Sequence, residues 1–133
     1  MFNFGRTQTI GKIGELAAQK EYVKRGFKIV RQNVFNRYGK QAGEVDFIAK
    51  KDNMLVFVEV KTRTGESRFG TAFEAVDQFK QVKLVKALKL FLRSNRRFSE
   101  FSPRIDVCEV RVNSLDKRVE FVKVIESAVQ DVF

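Results

Sequence analysis

The chain has 133 residues, with 26 Lys and Arg against 16 Asp and Glu for a formal charge of +10, and it contains no His, one Cys and one Pro. At this length a single domain over 1–133 is expected, and 44% apolar residues with 14 Phe suit a packed core and not a basic disordered tail. The lack of His excludes imidazole acid–base chemistry, His triads and imidazole metal sites, leaving carboxylates, lysines and oxygen-held metals to carry any catalysis.

Cys108 has no intrachain partner for a disulfide and lies in an apolar run, where it reads as a small core residue. No apolar stretch approaches about 18 residues, and Arg6 and Lys12 interrupt the start, so neither a membrane span nor a secretory signal is expected. The reading is a soluble cytoplasmic chain. Charge is uneven along it: residues 1–43 carry 9 basic and 2 acidic groups, 44–79 carry 5 and 7, 80–104 carry 8 and 1, and 105–133 carry 4 and 6. Two basic stretches flank an acidic one. A polyanion is the natural partner, because lysines and arginines that neutralise phosphates release counterions.

In chain order, residues 9 to 25 read as a helix, with Ile10, Ile13, Leu16, Ala17 and Val23 at helical spacing and Gly26 as its stop. Glu15 lies off that stripe, beside Ala18 and Tyr22 on a second, partly apolar face. Residues 27 to 31 read as a strand, followed by a basic loop carrying Phe35 and Tyr38. Residues 44 to 51 and 54 to 61 form a hairpin across Asp52 and Asn53. After a polar loop, Thr71 and Glu74 make a capping box opening a long helix to about residue 94. Residues 104 to 112 and 118 to 125 read as strands joined by a turn at 113 to 116, and the last eight residues as a short helix. The order α-β-β-β-α-β-β, with a crossover helix placing the fourth strand parallel to the third, predicts an α/β fold with a mixed central sheet flanked by helices.

If the hairpin loop has two residues, Lys51 opposes Met54, Asp46 lies across from Glu59, and Glu44 across from Lys61. Alternation then puts Asp46, Glu59 and Lys61 on one face. Like charges opposed on a sheet are destabilising, and Ile48, Phe57, Val58 and Val60 around them reduce solvent screening. A divalent cation would offset the repulsion, and all-oxygen ligands suit Mg²⁺. Lys61 would then orient or help deprotonate an attacking water, or stabilise charge on a phosphate. The competing reading is a solvated Glu-x-Lys strand with Asp46 in a salt bridge to Lys61.

On the long helix Leu84, Val85, Leu88, Phe91 and Leu92 share one side, and Lys83, Lys86, Lys89, Arg93 and Arg97 the other. That basic stripe is either a DNA backbone contact or the wet side of an amphipathic helix. Lys80 sits apart, at the edge of the apolar face, from where it could reach the same site as Lys61. Arg63, next to that site, joins the residues expected to hold phosphate.

The segments GEVDFI (43 to 48) and VFVEVKTR (56 to 63) resemble the YraN family of bacterial proteins, which are predicted endonucleases. Gly14-Glu15, Phe69-Gly70, Ala75-Val76, Lys80 and Arg104 to Val107 agree with the same pattern. That family is similar to the PD-(D/E)XK nucleases, particularly archaeal Holliday junction resolvases. The resemblance implies a restriction-endonuclease-like core. It makes Asp46 and Glu59 ligands of Mg²⁺ or Mn²⁺, Lys61 the catalytic lysine, Glu15 an additional acidic ligand, and the Val60 carbonyl a further donor. It implies DNA as the partner and phosphodiester hydrolysis, on branched or other non-canonical DNA, as the activity. A homodimer is compatible with it, although the residues themselves show no interface. Fold is implied more firmly than activity. A non-catalytic nucleic-acid-binding module retaining the fold stays open, as does a basic protein docking on an anionic membrane or an acidic partner.

Overall fold

The computed structural model describes residues 9–34, 45–65 and 78–129, with the side chains of 34, 78–80 and 129 excepted. Helix α1 (Ile10–Lys24) is followed by strands β1 (Lys28–Val34), β2 (Val45–Lys51) and β3 (Met54–Thr64). Helix α2 (Gln78–Ser94), a short 3-10 turn (Arg96–Phe98), β4 (Ser102–Val112) and β5 (Val119–Val129) complete the order. The five strands form one sheet in the order β1-β2-β3-β4-β5. β3 and β4 are parallel and the other neighbours antiparallel. A parallel neighbour requires a crossover, and α2 supplies it. This mixed sheet with a helix on each face is the arrangement of a restriction-endonuclease-like core. Among the described residues no helix is long and apolar enough to cross a membrane.

The sheet separates two cores. Leu84, Ala87, Leu88 and Phe91 of α2 pack with Leu55, Phe57, Ile105 and Val107 on one face. Ala18 and Tyr22 of α1 pack with Val56, Val58, Cys108 and Val110 on the other. The even and odd residues of β3 and β4 divide cleanly between these clusters, as strand alternation requires.

Helix α1 starts at Thr9, whose hydroxyl accepts from the Lys12 N–H at 3.1 Å. It ends where Gly26 takes φ +96° and Phe27 N–H reaches back to the Tyr22 carbonyl at 2.9 Å, the wrapped ending that glycine permits. The face it buries is rotated from the expected stripe, of which Ile10, Ile13 and Ala17 pack against the core half-buried. Gly14, Ala18, Gln19 and Tyr22 are buried, while Leu16 is exposed and Val23 is 57% exposed. The face assigned to Glu15, Ala18 and Tyr22 is the one against the sheet. Two particulars explain it.

The first is Gly14, where a Cβ would overlap the Thr62 hydroxyl and come within 2.7 Å of Thr62 Cγ2. Only a glycine lets the helix approach β3 so closely. Gly14→Ala is therefore expected to destabilise by about 1–3 kcal/mol. Thr62→Ala in the same chain should recover part of that loss, as read by denaturant midpoints.

The second is Asp106, which is fully buried. Tyr22 Oη donates to its Oδ2 at 2.5 Å, Arg104 Nε and Nη2 donate to its two oxygens at 2.8 and 2.9 Å, and Ser127 N–H donates to Oδ1 at 3.0 Å. This carboxylate ties α1, β4 and β5 together. Burial, reinforced by the Asp106 charge, pushes the Tyr22 phenol well above its ordinary range. Burial alone would lower Arg104, but the hydrogen bonds and charge of Asp106 outweigh it and its proton is held more firmly than usual.

The same contact overturns the expected C-terminal helix over 126–129. Ser127 takes φ +52° and its N–H is claimed by Asp106, while the β4–β5 ladder shifts register between Ile105 and Val107 and continues to Val129. Tertiary pairing overrides local propensity here. Residues 130–133 lie outside the described residues, as do Phe35, Tyr38, Glu44, Phe69, Gly70 and the Thr71–Glu74 capping box.

Cys108 is buried in the α1-side core, and burial pushes its thiol up to about 12. A thiol so protonated and inaccessible is inert. Labelling of native protein by iodoacetamide at pH 8 should be at least about 100-fold slower than of urea-unfolded protein; equal rates would contradict this burial.

Candidate active site

The β2–β3 hairpin sets the site. Lys51 pairs with Met54 across Asp52, which adopts φ +54°, and the ladder runs in the expected register to Phe47 opposite Val58. At the next position Asp46 reaches onto the β3 main chain: its Oδ2 accepts the Val60 N–H at 2.7 Å. Val45 and Ile48 pack into the same core, three residues apart, so strict alternation does not run through Asp46. Its carboxylate thus meets β3 at the peptide between Glu59 and Val60.

Glu59 and Lys61 leave β3 on the face of Phe57, beneath α2. Glu59 is 7% exposed, and Lys61 Nζ lies 3.8 Å from Glu59 Oε1. Lys61 thus pairs with the carboxylate two residues before it on its own strand. In such a half-buried setting attraction is stronger than at an exposed surface.

Glu15 follows Gly14, the residue that lets α1 touch β3 at Thr62, next to Lys61. Glu15 is half-buried, and its Oε1 is buried with no hydrogen-bond partner among the described residues. Among the described residues no three His, Cys, Asp or Glu side chains are grouped so as to hold a metal ion. Asp46, Glu59, the Val60 carbonyl and the orphaned Glu15 oxygen are nevertheless all hard oxygen donors, the type Mg²⁺ and Mn²⁺ take. Mg²⁺ needs only one or two carboxylates when waters complete its shell.

The basic residues divide. Lys86, Lys89 and Arg93 are exposed on α2, Lys83 is half-buried, and the opposite side is buried, as the helical wheel requires. Arg97 does not continue that stripe. The helix ends at Ser94, Asn95 Nδ2 caps the Phe91 carbonyl at 2.9 Å, and the 3-10 turn lays the Arg97 guanidinium 4.6 Å from the Phe98 ring centre. Lys80 is in the first described turn of α2, but its side chain lies outside the described residues. Arg63 is half-buried on β3.

Sequence reasoning missed Glu109 and Arg111. In the parallel register Lys61 pairs with Glu109 and Arg63 with Arg111, so both lie on the face of Glu59. Alternation outward from Ile105 and Val107 would have found them, once β4 was laid beside β3.

With this geometry established, residues 14–110 match the family described as uncharacterised protein family UPF0102. A UPF0102 protein of Caldanaerobacter subterraneus is 42% identical over 106 residues, 80% of this chain and 82% of its own. One from Symbiobacterium thermophilum is 43% identical over 105 residues, 78% and 83% respectively. One from Clostridium botulinum is 38% identical over 122 residues, 91% and 94%. The matched span takes in Gly14, Asp46, Glu59 and Lys61, so the helix approach and the hairpin site both fall within it. The chain belongs to the UPF0102 family.

Proposed function

We propose that this chain is a divalent-metal-dependent endonuclease that hydrolyses DNA phosphodiester bonds, with branched or otherwise non-canonical DNA as its preferred class. The observation that carries the reading is the meeting of Asp46 with the β3 main chain at Val60, beside the ion pair of the buried Glu59 with the half-buried Lys61. Two carboxylates and an ammonium, one step apart on a sheet, suit phosphoryl chemistry. Asp46, Glu59 and the Val60 carbonyl would hold Mg²⁺ or Mn²⁺, with Glu15 as an added acidic donor from α1. The ion would supply Lewis acidity and neutralise charge on the phosphate. Lys61 would place the attacking water and meet charge developing on the phosphate oxygens. Lys83, Lys86, Lys89 and Arg93 on α2 would hold the DNA backbone without reading sequence.

The test is nicking of duplex, single-stranded and four-way-junction DNA in Mg²⁺ or Mn²⁺, beside a salt titration of binding. Cleavage that is lost in EDTA and in Asp46→Asn supports the proposal. Steeply salt-dependent binding by folded protein, with no cleavage of any substrate, would make the chain a binding module instead.

A further inference from the structure

Cations gather on the α2 face of the sheet at its hairpin end, away from Glu59 and Lys61. The β1–β2 pairing sets Lys28 directly opposite Lys50, and Arg31 opposite Ile48. Ile48 lies in the α2-side core and Lys50 follows it by one alternation, so all three cations share that face. Lys28 and Arg31 are exposed, and Lys50 is half-buried. Like charges directly opposed on a sheet are destabilising, yet neither lysine forms an ion pair among the described residues.

Aromatic rings hold two of the cations in place. Lys50 Nζ lies 5.6 Å from the Phe101 ring centre, and the Arg97 guanidinium 4.6 Å from that of Phe98. The two rings meet edge to face with centres 5.5 Å apart, and Phe98 stacks on Phe91 of α2 at 5.8 Å. A ring face attracts a cation without neutralising it, so the side chain is held while its charge stays at the surface. The carboxylates nearest in sequence, Asp52 and Glu100, are exposed and pair with none of these cations among the described residues. Arg97 leaves the α2 stripe to join Lys50. With Phe98 buried and Phe101 half-buried against the cations, the surface suits the charge of a phosphate chain and not the face of a base or a lipid tail.

We infer that Lys28, Arg31, Lys50 and Arg97 form a second phosphate-binding surface, which holds by its backbone the duplex DNA that flanks the candidate active site. Lys50 is four residues along β2 from Asp46, about 13 Å, and Arg31 stands between them opposite Ile48. Duplex DNA carries one charge per about 1.7 Å of axis, so a helix lying along β2 from Asp46 presents about eight phosphate charges over that distance. The inference rests on the DNA partner of the proposed function, but not on cleavage.

The test is fluorescence anisotropy in EDTA, so that no cleavage enters, with a labelled duplex of about 16 base pairs. Lys50→Gln and Arg97→Gln are each expected to flatten the slope of log affinity against log salt by about 0.9, and the double change by about 1.8. Lys28→Gln touches no ring contact and should also flatten it by about 0.9. Lys50→Arg keeps the charge and should keep the slope. Lys20→Gln removes the same charge from the exposed side of α1, across the sheet, and should leave the slope unchanged. Thermal midpoints within a few degrees of the parent establish that the variants fold. An unchanged slope in Lys28→Gln or in Lys50→Gln, or an equal loss in Lys20→Gln, overturns the surface. So does weaker binding to phosphatidylglycerol vesicles by variants that hold the duplex normally, which would assign these cations to a membrane. Cleavage by a protein whose Lys28→Gln and Lys50→Gln variants bind normally would leave the nuclease reading intact and remove this one; flattened slopes without cleavage of any DNA do the reverse.

Discussion

Replacing Asp106 with alanine is expected to destabilise the fold by about 3–5 kcal/mol. In a chain of this size that is a fall in thermal midpoint on the order of 10–20 °C. The carboxylate accepts from Tyr22, from both arms of the Arg104 fork and from the Ser127 N–H. Without it a guanidinium whose side chain is only 17% exposed keeps its charge and loses its main counter-charge. Glu126, 3.7 Å from Arg104 but 59% exposed, is too solvated to replace it. The phenol and the strand N–H are left buried and unmet as well, each at a desolvation cost. Asp106→Asn keeps the shape and should lose less. Replacing Asp106 by Leu together with Arg104 by Met should recover much of the loss, because it removes the buried charges in pairs. An Asp106→Ala variant within about 1 kcal/mol of the parent in urea would show that the clamp does not hold the fold.

Burial of two proton donors on the same side of the sheet sets the alkaline limit. Tyr22 is raised above its ordinary 10.0, and Cys108 is raised from 9.0 to about 12. The folded state therefore keeps protons that the unfolded state releases. Their contribution is fully present below about pH 9 for Cys108 and below about pH 10 for Tyr22, and is lost as pH rises from there. Urea midpoints measured from pH 8 to 11 should fall. Tyr22→Phe should flatten the part above pH 10, and Cys108→Ala the part that begins near pH 9.

These networks mark where the sequence is legible and where it is not. The two-residue turn at Asp52 and Asn53 fixes the pairing of Lys51 with Met54, and everything from Phe47 to Val58 follows from counting. The apolar side of α2 and the parallel fourth strand are equally readable, because each depends on local periodicity or on the length of a crossover. The buried face of α1 is legible only in part, since Ile10, Ile13 and Ala17 reach the core but do not form its centre. It is chosen by a glycine that fits against Thr62 and by a tyrosine whose hydroxyl finds Asp106 84 residues away, and neither partner leaves a trace in the helical pattern. Residues 126–129 likewise favour a helix until Asp106 captures the Ser127 N–H. At the site, Glu59 and Lys61 share a face as alternation demands, but Asp46 spends one oxygen on the Val60 N–H where β2 departs from regular alternation. Arg111 and Glu109 become site-facing only when β4 is laid beside β3, a long-range fact that composition does not carry.

Lys61 gives the sharpest test of chemistry against architecture. Lys61→Met keeps the length and apolar stem of the side chain and removes the ammonium 3.8 Å from Glu59. Its stem can still cover the sheet, so the fold should survive. Cleavage in Mn²⁺ under single-turnover conditions is expected to drop about 10²- to 10⁴-fold, the usual yield of a positioned proton-transfer or charge-stabilising group. Affinity for the same DNA should change only a few-fold, because one phosphate contact among several is lost. Lys61→Arg restores charge but exchanges a compact ammonium for a broad planar fork. If the group acts only through its charge, the arginine variant should approach the parental rate. If it must hold a water at a fixed point beside Glu59, recovery should stay below about a tenth. The latter is expected, because Glu59 is buried and leaves little room for the larger head group. A methionine variant that cuts as fast as the parent would remove Lys61 from the chemistry and return the Glu59–Lys61 pair to a purely structural role.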